Sequence, residues 1–109
     1  MSKDLSVVTL LDYYGAMLTE RQRDVVGYYY CDDLSLAEIA ENEGVTRQAV
    51  SDLLRRAVQQ LEDIEQRLGF VAKIGEIESA VSLIKTVADS CGTDEAKSIV
   101  SLCDVILKD

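Results

Sequence analysis

The chain has no histidine and no proline, and only six glycines in 109 residues. Without His, both the commonest general acid–base and the commonest metal ligand are missing. Without Pro, and with little Gly, few positions interrupt long helices. Cys31, Cys91 and Cys103 are an odd set, at spacings unlike a metal site. They read as small hydrophobes in a reducing compartment. No apolar run is long enough to span a bilayer, and the opening MSKDLSVV carries no signal-type apolar core. The expectation is a cytoplasmic protein with no membrane partner. There is also no Gly-rich phosphate loop, no nucleophile–base pair and no carboxylate constellation beyond ordinary surface acids. These absences argue against an enzyme and leave no reason to expect a cofactor or metal.

Positive charge is in short supply as well. Eleven basic residues face twenty acidic ones, a net charge of −9. Counted by segment, residues 1–18 carry −1, residues 19–60 carry −3 and residues 61–109 carry −5. Any binding to nucleic acid should therefore be weak without specific contacts and strongly salt-dependent. Hydrophobic residues make up 48 % of the chain, enough for a core. The length suits one domain with a helical extension.

The most informative stretch is SLAEIAENEGVTRQAVSDLLRR, Ser35 to Arg56. Ser35 and Glu38 have the spacing of a capping box. Leu36, Ile39 and Ala40 follow as one apolar face. Glu43-Gly44-Val45 supplies a turn, with Gly44 suited to positive φ at a helix end. Thr46 is an N-cap for a second helix. In that helix Ala49, Val50 and Leu53 face inward, while Arg47, Gln48, Ser51 and Asp52 face outward. The order and spacing are those of a helix-turn-helix, whose exposed second helix enters the major groove in DNA-binding versions.

Around the motif the pattern is helical throughout. Residues 4–17 predict a first helix capped by Asp4, with Leu5, Val8, Leu11 or Asp12, and Gly15 marking its turns. Thr19 and Gln22 form another capping box, opening a helix to about Tyr30 with Val25, Val26 and Tyr29 inward. Tyr28, Tyr29 and Tyr30 point in different directions on a helix, so they cannot form one stacking platform and are expected to pack. The second motif helix continues through Leu54, Ala57, Leu61, Ile64 and Leu68 in steps of three and four. Gly69 breaks it. A second seam runs Phe70, Ile74, Ile77, Val81, Ile84, Ala88 and Cys91, ending at Gly92. Thr93 caps a last helix striped by Ala96, Ile99, Cys103 and Ile106. So much apolar helix surface must be covered, and a second copy of the chain is the first expectation.

The fold expected is all-α. A helix-turn-helix domain occupies residues 1–68, winged-helix-like but without a wing. Long C-terminal helices over 69–109 serve packing or dimerisation.

The ordered pieces LDYYGAMLTERQRDV, YYYCDDLSLAEIAENEGVTRQAVSDLLRRA and LEDIEQRLGF resemble the YlxM-type family of bacterial helix-turn-helix proteins. Leu53-Leu54 stands where that family has a more polar pair. The resemblance covers a little over half the chain. It implies a sigma region 4-like fold, often dimeric. It also implies a link to the signal recognition particle pathway, inferred from genes encoded beside the particle's GTPase.

Two functional expectations follow. In the first, the chain is a nucleic-acid-binding regulator of DNA, or of the particle's RNA. Thr46, Arg47, Gln48, Ser51, Asp52, Arg55 and Arg56 would form its binding surface. Arg47 and Gln48 would read base edges, and Ser51, Arg55 and Arg56 would hold phosphates. Arg21 and Arg23 would add backbone contacts. In the second, the chain is a protein adaptor that docks on a basic partner, such as the particle's GTPase, through acids from Glu62 to Glu78.

Overall fold

The computed structural model describes Asp4 and residues 6–108. Within them are six α-helices and one 3-10 turn. They are α1 (Ser6–Tyr14), the 3-10 turn (Gly15–Met17), α2 (Glu20–Tyr30), α3 (Leu36–Glu43), α4 (Arg47–Leu68), α5 (Phe70–Cys91) and α6 (Asp94–Leu107). No strand occurs among the described residues, so the chain is all-α as its periodicity required. None of these helices is long and apolar enough to cross a membrane. Two compact units are distinguished, residues 1–71 and residues 72–109.

Helix boundaries in the first unit follow local chemistry. Thr19 Oγ1 accepts from the Gln22 N–H at 3.1 Å, and the Thr19 N–H donates to Gln22 Oε1 at 3.0 Å. Ser35 and Glu38 repeat this reciprocal pair, both bonds at 3.1 Å. Thr46 Oγ1 accepts from the Ala49 N–H at 3.0 Å. Each cap satisfies N–H groups that a helix start leaves without a partner. Between α3 and α4 lie only Gly44, Val45 and Thr46. The chain reverses there because Gly44 adopts φ 68°, a left-handed conformation that costs a side chain energy. The N–H groups of Gly44 and Val45 then close on the carbonyls of Glu41 (3.3 Å) and Ala40 (3.0 Å). Gly69 ends α4 in the same way at φ 66°.

The core of this unit collects Val7, Leu10, Tyr14 and Leu18 with Val25, Val26, Ile39 and Ala40, closed by Val50, Leu54, Ala57 and Leu61 of α4. Helix α4 packs against α1, α2 and α3 and is the spine of the unit. The four residues it buries fall at alternating steps of four and three, so one stripe serves all three neighbours. Tyr28, Tyr29 and Tyr30 are half-buried against this core, with the rings of Tyr29 and Tyr30 edge-to-face at 5.0 Å. They pack, and no stacking platform forms.

Three expectations are corrected. The first helix stops at Tyr14 and tightens into a 3-10 turn instead of running to residue 17. Its buried face is Val7, Leu10 and Tyr14, one position away from the expected Val8 and Leu11, which are half-buried. Leu5 lies outside the described residues. Asp4 does cap the helix, its Oδ1 accepting from the Ser6 N–H at 2.9 Å. In α4, Ala49 is exposed, not inward, because the stripe is centred on Val50 and Leu54.

Tyr14 is the residue that hydropathy patterning overlooked. It is only 2 % exposed, and its hydroxyl donates to Glu65 Oε1. The same carboxylate oxygen accepts the Val71 N–H at 3.1 Å. One carboxylate therefore ties α1 to the end of α4 and to the backbone just past Gly69. Burial, and then the Glu65 carboxylate, hold the Tyr14 pKa above its ordinary value of 10.0. A raised folded pKa favours the protonated form in the native state. The stabilisation is complete below about pH 10 and disappears as pH rises through the folded value. Denaturant melts of the wild type should therefore lose stability more steeply above pH 10.0 than melts of Tyr14→Phe. Parallel curves would mean that Tyr14 does not titrate in the folded protein.

The second unit is a helical hairpin. A tight turn at Gly92 and Thr93 sends α6 back along α5. Thr93 Oγ1 caps α6 by accepting from the Ala96 N–H at 3.0 Å, and Lys85 Nζ meets Asp104 Oδ1 at 2.7 Å. Val81, Ala88, Ala96 and Cys103 are buried. The regular seams expected for α5 and α6 are only partly covered. Ile77, Ile84, Ile99 and Ile106 keep 42–52 % of their surface exposed, and Cys91 is exposed while Cys103 is buried.

Candidate nucleic-acid interface

The N-cap Thr46 and roughly the first three turns of α4 hold every residue expected to form the binding surface. Arg47, Gln48, Arg55 and Arg56 are exposed, and Ser51 and Asp52 are partly so. At 100° per residue, Gln48, Ser51, Asp52 and Arg55 project from one side. That side lies opposite the buried stripe of Val50, Leu54, Ala57 and Leu61. A continuous core stripe on one side leaves a continuous polar stripe on the other.

Asp52 organises this surface. Gln48 Nε2 donates to Asp52 Oδ1 at 3.0 Å, and Arg55 Nη2 lies 3.6 Å from the same oxygen. The two side chains are thereby held side by side. The Arg55–Asp52 pair is well exposed, so solvent screens it and a phosphate can displace it at little cost. Thr46 has a different place from the rest. Its hydroxyl oxygen is engaged as the helix cap.

Two grooves flank α4 at this point. On one side Arg47, Gln48 and Ser51 line an open groove of about 570 Å³ with Ser35, Leu36 and Ala37, the start of α3. On the other, Asp52, Leu53 and Arg56 line one of about 340 Å³ with Thr19 and Gln22, the start of α2. The N-termini of α2, α3 and α4 thus gather around one exposed surface. Each presents the positive end of its peptide dipoles there. Thr19, Gln22 and Ser35 were visible in the sequence as caps, but their position beside α4 was not.

Arg23 is not brought to this surface. It lines a separate groove with Leu11, Asp24, Gly27 and Tyr28. Arg21 is exposed near the start of α2. Leu53-Leu54 is explained by packing, since Leu54 is buried and Leu53 is half-buried against the core. All six arginines lie between residues 21 and 67, whereas the five lysines are at 3, 73, 85, 97 and 108. Arg is the better side chain for bidentate contact with phosphate or guanine.

The capped helix pair, the three-residue turn and the exposed second helix define a helix-turn-helix protein. A family model described as "Putative helix-turn-helix protein, YlxM / p13 like" matches residues 1–100. A relative from Symbiobacterium thermophilum is 54 % identical over 72 residues, covering 65 % of this chain and 67 % of its own. One from Desulforamulus reducens is 42 % identical over 107 residues, covering 97 % and 92 %. One from Shouchella clausii is 41 % identical over 109 residues, covering 99 % and 97 %. The chain belongs to this family, UPF0122.

Proposed function

We propose that the chain is a non-catalytic regulatory protein that binds duplex DNA, with α4 in the major groove. The observation that carries this reading is the exposed start of α4, bearing Arg47, Gln48, Ser51 and Arg55, with the capped starts of α2 and α3 on its two flanks. Arg47 and Gln48 read base edges, Arg suiting guanine and Gln suiting adenine. Arg55, Arg56 and Ser51 hold phosphates. Asp52 sets the position of Gln48 and Arg55 and touches no phosphate itself. The α2 and α3 termini meet the sugar-phosphate backbone on either side of the groove, where backbone N–H groups suit anions.

Fluorescence anisotropy against pooled duplex DNA, at low and moderate salt, tests this. Arg47→Ala is expected to weaken a preferred site by about 1–3 kcal/mol. Equal affinity of the wild type and this variant would remove Arg47 from the interface. Signal recognition particle RNA belongs in the same titration, because the family resemblance points to that pathway. Preference for the RNA would move the target from DNA to the particle.

A second reading is favoured by one observation. Beyond Arg56 the outward side of α4 becomes acidic at Glu62 and Asp63, on a chain of net charge −9. In that reading the protein docks on a basic partner, such as the particle's GTPase, and Arg47→Ala is silent. Charge reversal at Glu62 and Asp63 that left such binding intact would dispose of it.

A further inference from the structure

Asp52 is an acid in the middle of the outward side of α4. Gln48 lies one turn before it and Arg56 one turn after, each offset by about 40° around the helix. Its side chain is 44 % exposed. Two donors already approach it, Gln48 Nε2 at 3.0 Å and Arg55 Nη2 at 3.6 Å, and both meet Oδ1. The other oxygen, Oδ2, takes no hydrogen bond from the described residues. A carboxylate at this place weakens the attraction of the surface for every nearby phosphate. It accepts hydrogen bonds and donates none. On a duplex, the groups that suit it are the amino groups of base edges in the major groove. Guanine shows only acceptors there, and thymine an acceptor and a methyl group. Adenine sets its N7 acceptor beside its amino group, whereas cytosine presents a donor alone. We propose that Asp52 determines specificity, its Oδ2 accepting from the N4 amino group of a cytosine in the preferred site.

This role rests on the reading of α4 as a helix in the major groove, and it adds what that helix rejects. Guanine or thymine at the same position would set an acceptor against a carboxylate, so discrimination comes from repulsion as much as from the bond formed. The first oxygen of Asp52 acts on a second base. Because a carboxylate only accepts, Gln48 must turn the nitrogen end of its amide toward Oδ1. One of its N–H groups is then engaged. The amide oxygen and the second N–H remain, the acceptor and donor that adenine N6 and N7 require. Without Asp52 the amide is free to present either end. Gln48 and Asp52 are four residues apart, ~6 Å along the helix, and bases stack at ~3.4 Å. The adenine and the cytosine therefore fall within about two base-pair steps of each other.

Selection of bound duplexes from a randomised pool by the full chain, followed by fluorescence anisotropy on the selected site, tests the assignment. The wild type should select a fixed cytosine. Replacing that cytosine by 2-pyrimidinone, which lacks only the amino group, should weaken wild-type binding roughly 10-fold or more, the cost of one lost base contact. The same replacement should leave binding by Asp52→Ala unchanged. Any general effect of the altered base pair appears in both proteins and cancels in the comparison. Asp52→Asn should select adenine at that position, since an amide matches adenine N6 and N7. A residue that merely held Gln48 in place would change the preference at the adenine and leave the 2-pyrimidinone penalty intact. Far-UV circular dichroism checks that both variants keep their helices, and either one alone is enough to decide. Equal penalties in the wild type and Asp52→Ala, or the same cytosine selected by all three proteins, would overturn the proposal. Continued sensitivity to Arg47→Ala would then leave the DNA-binding reading standing. A chain that binds no duplex even at low salt would overturn both.

Discussion

Leu61→Ala is expected to destabilise the chain by about 2–5 kcal/mol, the range for emptying a buried leucine site. Leu61 is 0 % exposed and belongs to the cluster that holds Val7, Leu10, Tyr14 and Val26. It sits on α4, which supports three other helices, so no single neighbour can shift to fill the space. For a small domain with a total stability of about 5–15 kcal/mol, this is a large fraction. Urea melts followed by circular dichroism provide the measurement. The control is Leu68→Ala, seven residues on along the same expected seam but 46 % exposed, which should change stability by no more than about 0.5 kcal/mol. If the two variants were equally destabilised, the stripe that seats α4 would have been assigned wrongly.

The second large effect concerns salt. The double variant Arg55→Ala, Arg56→Ala should lower affinity for duplex DNA at every sequence alike. It should also make the plot of log affinity against log salt shallower by about 1.8, at ~0.9 for each phosphate no longer neutralised. Gln48→Ala should behave differently, changing sequence preference with little change in slope, since base contacts release few counterions. Asp52→Asn should strengthen non-specific binding by removing a negative charge from the middle of the surface. Titrations at four or five salt concentrations separate these outcomes. A double variant with the wild-type slope would mean that Arg55 and Arg56 touch no phosphates.

These effects bear on the paradox of an acidic protein with a helix-turn-helix for which DNA binding is proposed. The chain does not offer a basic body. It offers a small arginine-bearing surface with three helix starts around it, and the acids lie largely elsewhere. Affinity should then depend on geometry at a few contacts more than on overall attraction, and should fall quickly with salt.

Much of this architecture was legible in the residues. Thr19, Ser35, Thr46 and Thr93 cap the helices that their positions predict. Gly44, Gly69 and Gly92 all take positive φ at helix ends. Caps work over three or four residues, so nothing distant is needed to place them. The length of α4 was legible too, because its apolar steps continue unbroken from Val50 to Leu68. The buried face of α1 was not, for an equally local reason. SVVTLLDYY is apolar on more than one side, and a nine-residue helix is too short for periodicity to choose between Val7–Leu10–Tyr14 and its neighbours.

From its own residues the chain determined where its helices after the first begin and end, which side of α4 is polar, and where the turn of the motif falls. All of these depend on contacts within about one turn of helix, or on a period repeated many times. Only the tertiary structure decided which face of α1 is buried and that the Tyr14 hydroxyl meets Glu65, fifty-one residues away. It alone also set the starts of α2 and α3 beside Arg47 and Arg56, and left the apolar side of α5 and α6 open. Those outcomes follow from how several helices share one core, and spacing along a single helix carries no record of its neighbours.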